Sequence, residues 1–178
     1  MSILAELAKY PVLETERRLL RPMTKDDLED YHAFTSDDDN LRYAFYLHTS
    51  MEDSWRGLVL YNLKEPIGKY GIVEKHSDRL IGNISFKPTD RDDTLEIGYT
   101  LHQDYAGQGY MTEGASALKA LAIHLPGIRY LTAVTNHENL ASKAVLEKIG
   151  MTLVKQYPDK SLRGKDIVSD SYQMKVKD

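Results

Sequence analysis

The stretch from Asp93 to Leu125 constrains the chain more than any other. "DTLEIGYTL" (Asp93–Leu101) alternates strictly, with Leu95, Ile97, Tyr99 and Leu101 on one face and Glu96, Gly98 and Thr100 on the other. That period of two marks a half-buried strand. It runs into "DYAGQGYMTEG" (Asp104–Gly114), which packs three glycines into eleven residues, and then into the helical pattern "YMTEGASALKALAIHL", ended by Pro126 and Gly127. A strand, a glycine loop and a helix in that order present backbone amides and a positive helix end to an anion. Glycine loses more freedom on folding than any other residue, so Gly107 and Gly109 ask for a close approach by another group.

The spacing excludes two familiar nucleotide loops. No G-x-x-x-x-G-K-[ST] string occurs, and the glycine after Gly107-x-Gly109 is Gly114, two positions too late for G-x-G-x-x-G. The loop also follows three consecutive strand patterns instead of opening a βαβ unit. Taken alone, it also reads as a tight turn in front of a helix. A second polar set lies in "TNHENLASKAVLEKIGM". Asn136 is placed as an N-cap, and Asn139 and Ser142 follow at intervals of three, which predicts one shared side of the first helical turns. Ala141, Val145 and Ile149 form the apolar side. Capping and solvated surface is the other reading of these three polar residues.

The remaining patterns fill in an α/β chain. "ERRLLRPM" reads as a strand ended by Pro22. Thr24 to Asp27 and Ser50 to Asp53 read as capping boxes opening two helices. Lys69–Lys75 and Arg79–Pro88 read as strands joined by a short turn, and two closing strands are expected around Met151–Tyr157 and Ile167–Val176. The expected order is β-α-α-β-β-β-α-β-α-β-β, a mixed sheet with helices on both faces. At 178 residues one domain is expected, with residues 1–11 as an N-terminal extension.

Composition narrows the function. A net charge of −4 argues against nucleic acid as a partner, which calls for a basic face, and suits a cationic or amine partner. The absence of cysteine removes disulfides, thiolate metal sites and any cysteine acyl-enzyme, and fits a reducing cytosol. The six histidines show no metal-ligand spacing, so no metal is expected. The N-terminus lacks the apolar core of a signal peptide. No apolar run approaches the roughly 20 residues of a membrane helix, so a cytoplasmic protein without a membrane partner is expected.

"LETERRLLRPMTKDDLEDY", "LIGNISF", "LEIGYTLHQDYAGQGYMTEGA" and "VTNHENLASKAVLEKIGM" occur in the order seen in GCN5-related N-acetyltransferases (GNAT). The chain resembles that family from about Val12 to Met174, most of all the branch containing the ribosomal-protein N-terminal acetyltransferases. The resemblance implies acetyl-CoA as co-substrate. Its pyrophosphate would lie on Ala106, Gly107, Gln108, Gly109, Tyr110 and Met111, and its pantetheine arm along Tyr99, Thr100, Leu101 and His102, with Asn136 and Asn139 beside it. Where the family often has Gln or Arg, Asp104 would repel phosphate if it pointed inward. The resemblance also implies Glu96 as a general base and Ser142 as a hydrogen-bonding partner of the leaving sulfur. Family members are often dimers, so a homodimer is an expected state.

The segment Asp37–His48 is expected on the acceptor side. Asp37, Asp38 and Asp39 would attract a cationic amine that Tyr43, Phe45 and Tyr46 flank. Without cysteine, direct attack of an amine on the thioester is the simplest route. Deprotonating an α-amine (pKa ~8) costs about 1 kcal/mol at neutral pH, against about 4–5 for lysine, which favours a protein N-terminus. The alternatives are a small-molecule amine such as an antibiotic or polyamine, and a non-catalytic acyl-CoA-binding module.

Overall fold

The computed structural model of the chain describes residues 2–39, 41–43 and 46–177. Its strands are β1 (Leu13–Glu14), β2 (Arg18–Arg21), β3 (Lys69–Glu74), β4 (Arg79–Pro88), β5 (Thr94–Leu101), β6 (Tyr130–Asn136), β7 (Thr152–Lys160) and β8 (Asp166–Lys175). Its helices are α1 (Ile3–Leu7), α2 (Leu28–Thr35), α3 (Met51–Leu58), α4 (Tyr110–His124) and α5 (Leu140–Lys148). The strands form one sheet in the order β1-β2-β3-β4-β5-β6-β8-β7. Neighbours are antiparallel throughout except β5 and β6, which are parallel. A parallel pair cannot be joined by a hairpin, and here the crossover is α4.

Each face of the sheet carries helices. Met111, Ala115, Leu118, Leu121 and Ala122 of α4 pack on Leu20, Ile72, Ile84, Phe86, Leu95 and Ile97, and Leu146 and Ile149 at α5 extend the same core. On the other face Tyr31 and Phe34 of α2 and Leu58 of α3 close over Met23, Val73 and Leu80. The period-two pattern of β5 thus sends Leu95 and Ile97 inward, while Gly98 is exposed. Burying a side chain such as Leu118 stabilises the fold by about 2–3 kcal/mol.

The expected order is present, with α1 and β1 added ahead of it. Within residues 2–11, α1 seats Leu7, 1% exposed, in the main core. A helix of five residues is too short to show a period in sequence. The helix opened at Ser50 leaves α geometry after Leu58 and continues as a π-helical turn, Val59–Leu63. Thr24 and Asp27 form the expected capping box. Ser50 caps the amide of Asp53, but the Asp53 carboxylate turns to Thr49. β7 runs to Lys160, past Pro158, because it is the edge of the sheet, where a residue without an N–H is tolerated.

Candidate functional site

β5 and β6 pair only from Thr94 to Glu96 against Tyr130 to Thr132. Beyond that β5 stays with β4 as far as Leu101, and β6 stays with β8 as far as Asn136. The two parallel strands therefore split. Ile97–Leu101 and Ala133–Asn136 face each other across a cleft of about 690 Å³. Each edge keeps main-chain groups unclaimed by the other, the arrangement by which an extended ligand is taken up between strands.

The glycine loop closes one end of this cleft. Gly107 and Gly109 have φ of 73° and 77°, a conformation side chains resist. A Cβ at Gly107 would meet nothing within 4 Å, and one at Gly109 only Arg17 Nη2 at 3.5 Å. Among the described residues nothing accepts from the amides of Gly107, Gln108 or Gly109. The first-turn amides of α4, Tyr110 to Thr112, lack partners by helix geometry. A run of donors at a positive helix end thus opens onto bare backbone.

Not every residue assigned to this loop contributes a donor or a wall. Ala106 lines the cleft, but its amide donates to the Gln103 carbonyl at 2.9 Å. The His102 amide donates to Ile81 at 2.7 Å, so it has no N–H to offer a ligand, and neither His102 nor Gln108 lines the cleft. Tyr99, Thr100, Leu101, Tyr110 and Met111 do line it. Asp104 does not, and its side chain is 77% exposed. The feared repulsion is turned outward.

Behind the loop is a clamp that sequence reasoning missed. Glu113, in the first turn of α4, accepts from Thr15 Oγ1 at 2.5 Å, from the Arg17 amide at 2.8 Å and from Arg17 Nε at 2.7 Å. Arg17 Nη1 in turn donates to the Gln108 carbonyl at 3.1 Å. Burial pushes the Glu113 carboxyl up, but the Thr15 and Arg17 hydrogen bonds outweigh it and leave the pKa below its ordinary value. Arg18, next along β2, is fully buried, with its guanidinium 3.3 Å from the Tyr110 ring centroid. Its Nε and Nη2 have no partner. The only advance signal was a charged residue on the same strand face as Leu20.

Across the cleft, α5 starts later than expected. Asn136 is the last residue of β6, and its side chain accepts from the Glu138 amide at 2.8 Å. Asn139 is the N-cap, accepting from the Ser142 amide at 3.1 Å. An Asn whose side chain bonds two residues ahead makes a turn as readily as a cap, which is why the pattern misplaced the start. Asn136, Asn139 and Ser142 all line the cleft nonetheless. Ser142 meets Tyr99, whose hydroxyl lies 3.1 Å from both the Ser142 carbonyl and Oγ. Burial pushes the Tyr99 phenol up to about 12, although its hydrogen bond with Ser142 acts the other way. α5 is anchored from below by Asp170, a fully buried carboxylate of β8. It meets Lys143 Nζ at 2.9 Å, Gln156 Nε2 at 2.8 Å and His137 Nδ1 at 3.0 Å.

The acceptor end differs most from expectation. Asp39 and Tyr43 line the cleft, but Asp37, Asp38 and Tyr46 do not, and Phe45 lies outside the described residues. Asp37 accepts from Gln103 at 2.5 Å, and Asp38 pairs with Arg163 at 2.6 Å. These contacts use both carboxylates to tie down their own loop. Glu96 also falls outside the lining, 3.8 Å from Lys87. Opposite the 37–43 loop the wall is built instead by the β7–β8 hairpin, with Asp159, Leu162 and Ser169 among its residues, a segment whose polar sequence carried no site signal.

A family model described as an acetyltransferase (GNAT) domain matches residues 17–152. The uncharacterized N-acetyltransferase YoaA of Bacillus subtilis (strain 168) is 30% identical over 149 residues, 79% of this chain and 82% of that one. The crystal structure of a GNAT-family acetyltransferase from Bacillus anthracis superposes with a TM-score of 0.83 at 25% identity, covering 94% of this chain and 99% of its own. The structure of RimL, a ribosomal L7/L12 alpha-N-protein acetyltransferase in complex with coenzyme A, superposes with a TM-score of 0.77. At 20% identity over 92% of this chain and 97% of its own, that likeness is one of fold.

Proposed function

This chain belongs to the GNAT acetyltransferase family, and from that premise we propose that it transfers the acetyl group of acetyl-CoA directly to a primary amine, the α-amine of a peptide N-terminus. The observation that carries this reading is the split between β5 and β6 with the glycine loop at its end. The residues present fit the co-substrate. Bare backbone at Gly107 and Gly109 leaves room for a bulky anion, the amides from Gly107 to Thr112 supply its donors, and the free edges of β5 and β6 suit an extended amide-bearing arm.

Bound acetyl-CoA supplies the activated acyl group as a thioester. The chain's own residues do the rest. Main-chain N–H groups on the freed edge of β5 are fixed before reaction and meet the charge that develops on the carbonyl oxygen. Ser142, positioned by its bond to Tyr99, offers a hydrogen bond to the departing sulfur. A peptide α-amine, with pKa ~8, needs only about 1 kcal/mol to lose its proton at neutral pH. Water in the cleft is then a sufficient proton acceptor.

The test is release of free thiol from acetyl-CoA in the presence of peptides, with the product read by mass spectrometry. Release that depends on a free peptide N-terminus, and is absent when that N-terminus is blocked, is the expected result. Release only with small amines would move the acceptor to that class. Binding of acetyl-CoA without release for any amine would overturn catalysis and leave an acyl-CoA-binding module.

A further inference from the structure

The 37–43 loop and the β7–β8 hairpin contribute five charged side chains to the cleft wall, and four of them are paired. Asp39 holds Arg42 at 2.9 Å, Lys160 meets Asp166 at 2.6 Å, and Arg163 meets Asp38 at 2.6 Å. Asp159 is the exception. Among the described residues its partners are neutral: the Ser169 hydroxyl donates to one oxygen at 2.8 Å, and the Lys160 amide donates to the other at 2.8 Å. Ser169 is itself buried at 3% exposure, and the two bonds orient a carboxylate that stays open to the cleft. The same two bonds keep its pKa below the ordinary aspartate value. An anion without a counter-charge, fixed in a concave wall, attracts a cation.

The reacting nitrogen is a poor candidate for that cation. It must be neutral to attack, and an ionised carboxylate beside it would favour its ammonium form. The sheet also sets Asp159 apart from the reaction. β8 lies between β6 and β7, so β7 stands two strand spacings from the split, on the order of 10 Å. We infer that Asp159 binds a second, non-reacting positive charge on the acceptor. The substrate class is then a primary amine that carries another cation about 10 Å away. This inference rests on the acetyl-transfer reading. The chemistry is shared by a linear oligoamine and by a peptide with lysine or arginine close to its free N-terminus.

The protein–CoA complex is titrated with linear diamines of increasing length, each against the monoamine of the same length, for the parent and for Asp159→Asn. In parallel, acetylation is compared for peptide pairs with lysine or norleucine near the N-terminus. The parent is expected to favour the doubly charged ligand by about two- to fivefold, the effect of one exposed ion pair, with an optimum length. In Asp159→Asn the ratio falls to near one, and in Asp159→Lys it inverts. A gain confined to diamines identifies the oligoamine, and a gain confined to peptides identifies the N-terminus. Equal binding of diamine and monoamine by the parent together with no gain from lysine in the peptides, or a ratio unchanged in Asp159→Asn, would overturn the inference while leaving acetyl transfer standing. Failure of CoA itself to bind would overturn both.

Discussion

Tyr99 and Ser142 reach toward each other from opposite sides of the split, and their hydroxyls lie 3.1 Å apart. Because burial holds Tyr99 near 12, the phenol stays neutral through the working pH range. In that form it orients Ser142 by donating to it. Tyr99→Phe removes that donor without removing the ring, so kcat is expected to fall by about three- to tenfold, the effect of one net hydrogen bond, with little change in the dissociation constant of CoA. Ser142→Ala should cost about the same. The double variant should be no worse than the worse single one, since the two groups act as a unit. Additive losses in steady-state kinetics would mean independent roles. This pair was half legible in advance. Ser142 stood out by its spacing, but the partnership with Tyr99 spans two elements separated by 43 positions and left no local trace.

At the scale of elements, the glycine loop is only as well placed as what holds it. Thr15 and Arg17, just ahead of β2 and 96 or more positions away in sequence, fix the first turn of α4 through Glu113. Glu113→Gln keeps the shape but loses the charge, and should weaken CoA binding severalfold in calorimetry while lowering stability by about 1–2 kcal/mol. Unchanged CoA affinity would show that the loop holds itself. Arg18 makes the opposite case. Two of its nitrogens are buried without partners, an expense of about 1–3 kcal/mol set against its contact with the Tyr110 ring. Arg18 Nη1 also lies 3.3 Å from Glu74, so the pair is replaced together: Arg18→Met with Glu74→Gln should be neutral or stabilising by about 1–3 kcal/mol in denaturant titration, and a net loss would show the ring contact to be dominant. The long periodic elements β5 and α4 were readable because one period fixes a whole face. The shift of the α5 start from Asn136 to Asn139 was not, because Asn serves turns and caps alike.

For the whole molecule, several carboxylates are more acidic when folded than when free. Hydrogen bonds from Ser77 and His76 hold Glu74 at about 2, down from its ordinary 4.5. Glu113, Asp159 and Asp170 are also lowered. A depressed folded pKa contributes stability that is present above the unfolded value and lost as pH falls toward the folded one. Thermal stability should therefore be level from neutrality to about pH 4.5 and decline from there to about pH 2. Glu74→Gln should shallow that decline, and a melting temperature flat to pH 2 would contradict the linkage. The overall architecture was readable because alternation and capping fix the strands and helices near the cleft. The acceptor wall was not, because exposed polar hairpins fold by pairing and carry no periodic core. The central claim is that the split between β5 and β6, closed by Gly107 and Gly109, is an acetyl-CoA site. The most direct test is calorimetric titration of acetyl-CoA into the parent and into Gly109→Glu, with thermal melts to verify that both are folded. Saturable one-to-one binding by the parent, abolished in the folded variant, is the predicted result. Equal binding by the two would put the coenzyme elsewhere, and no binding by the parent would contradict the site altogether.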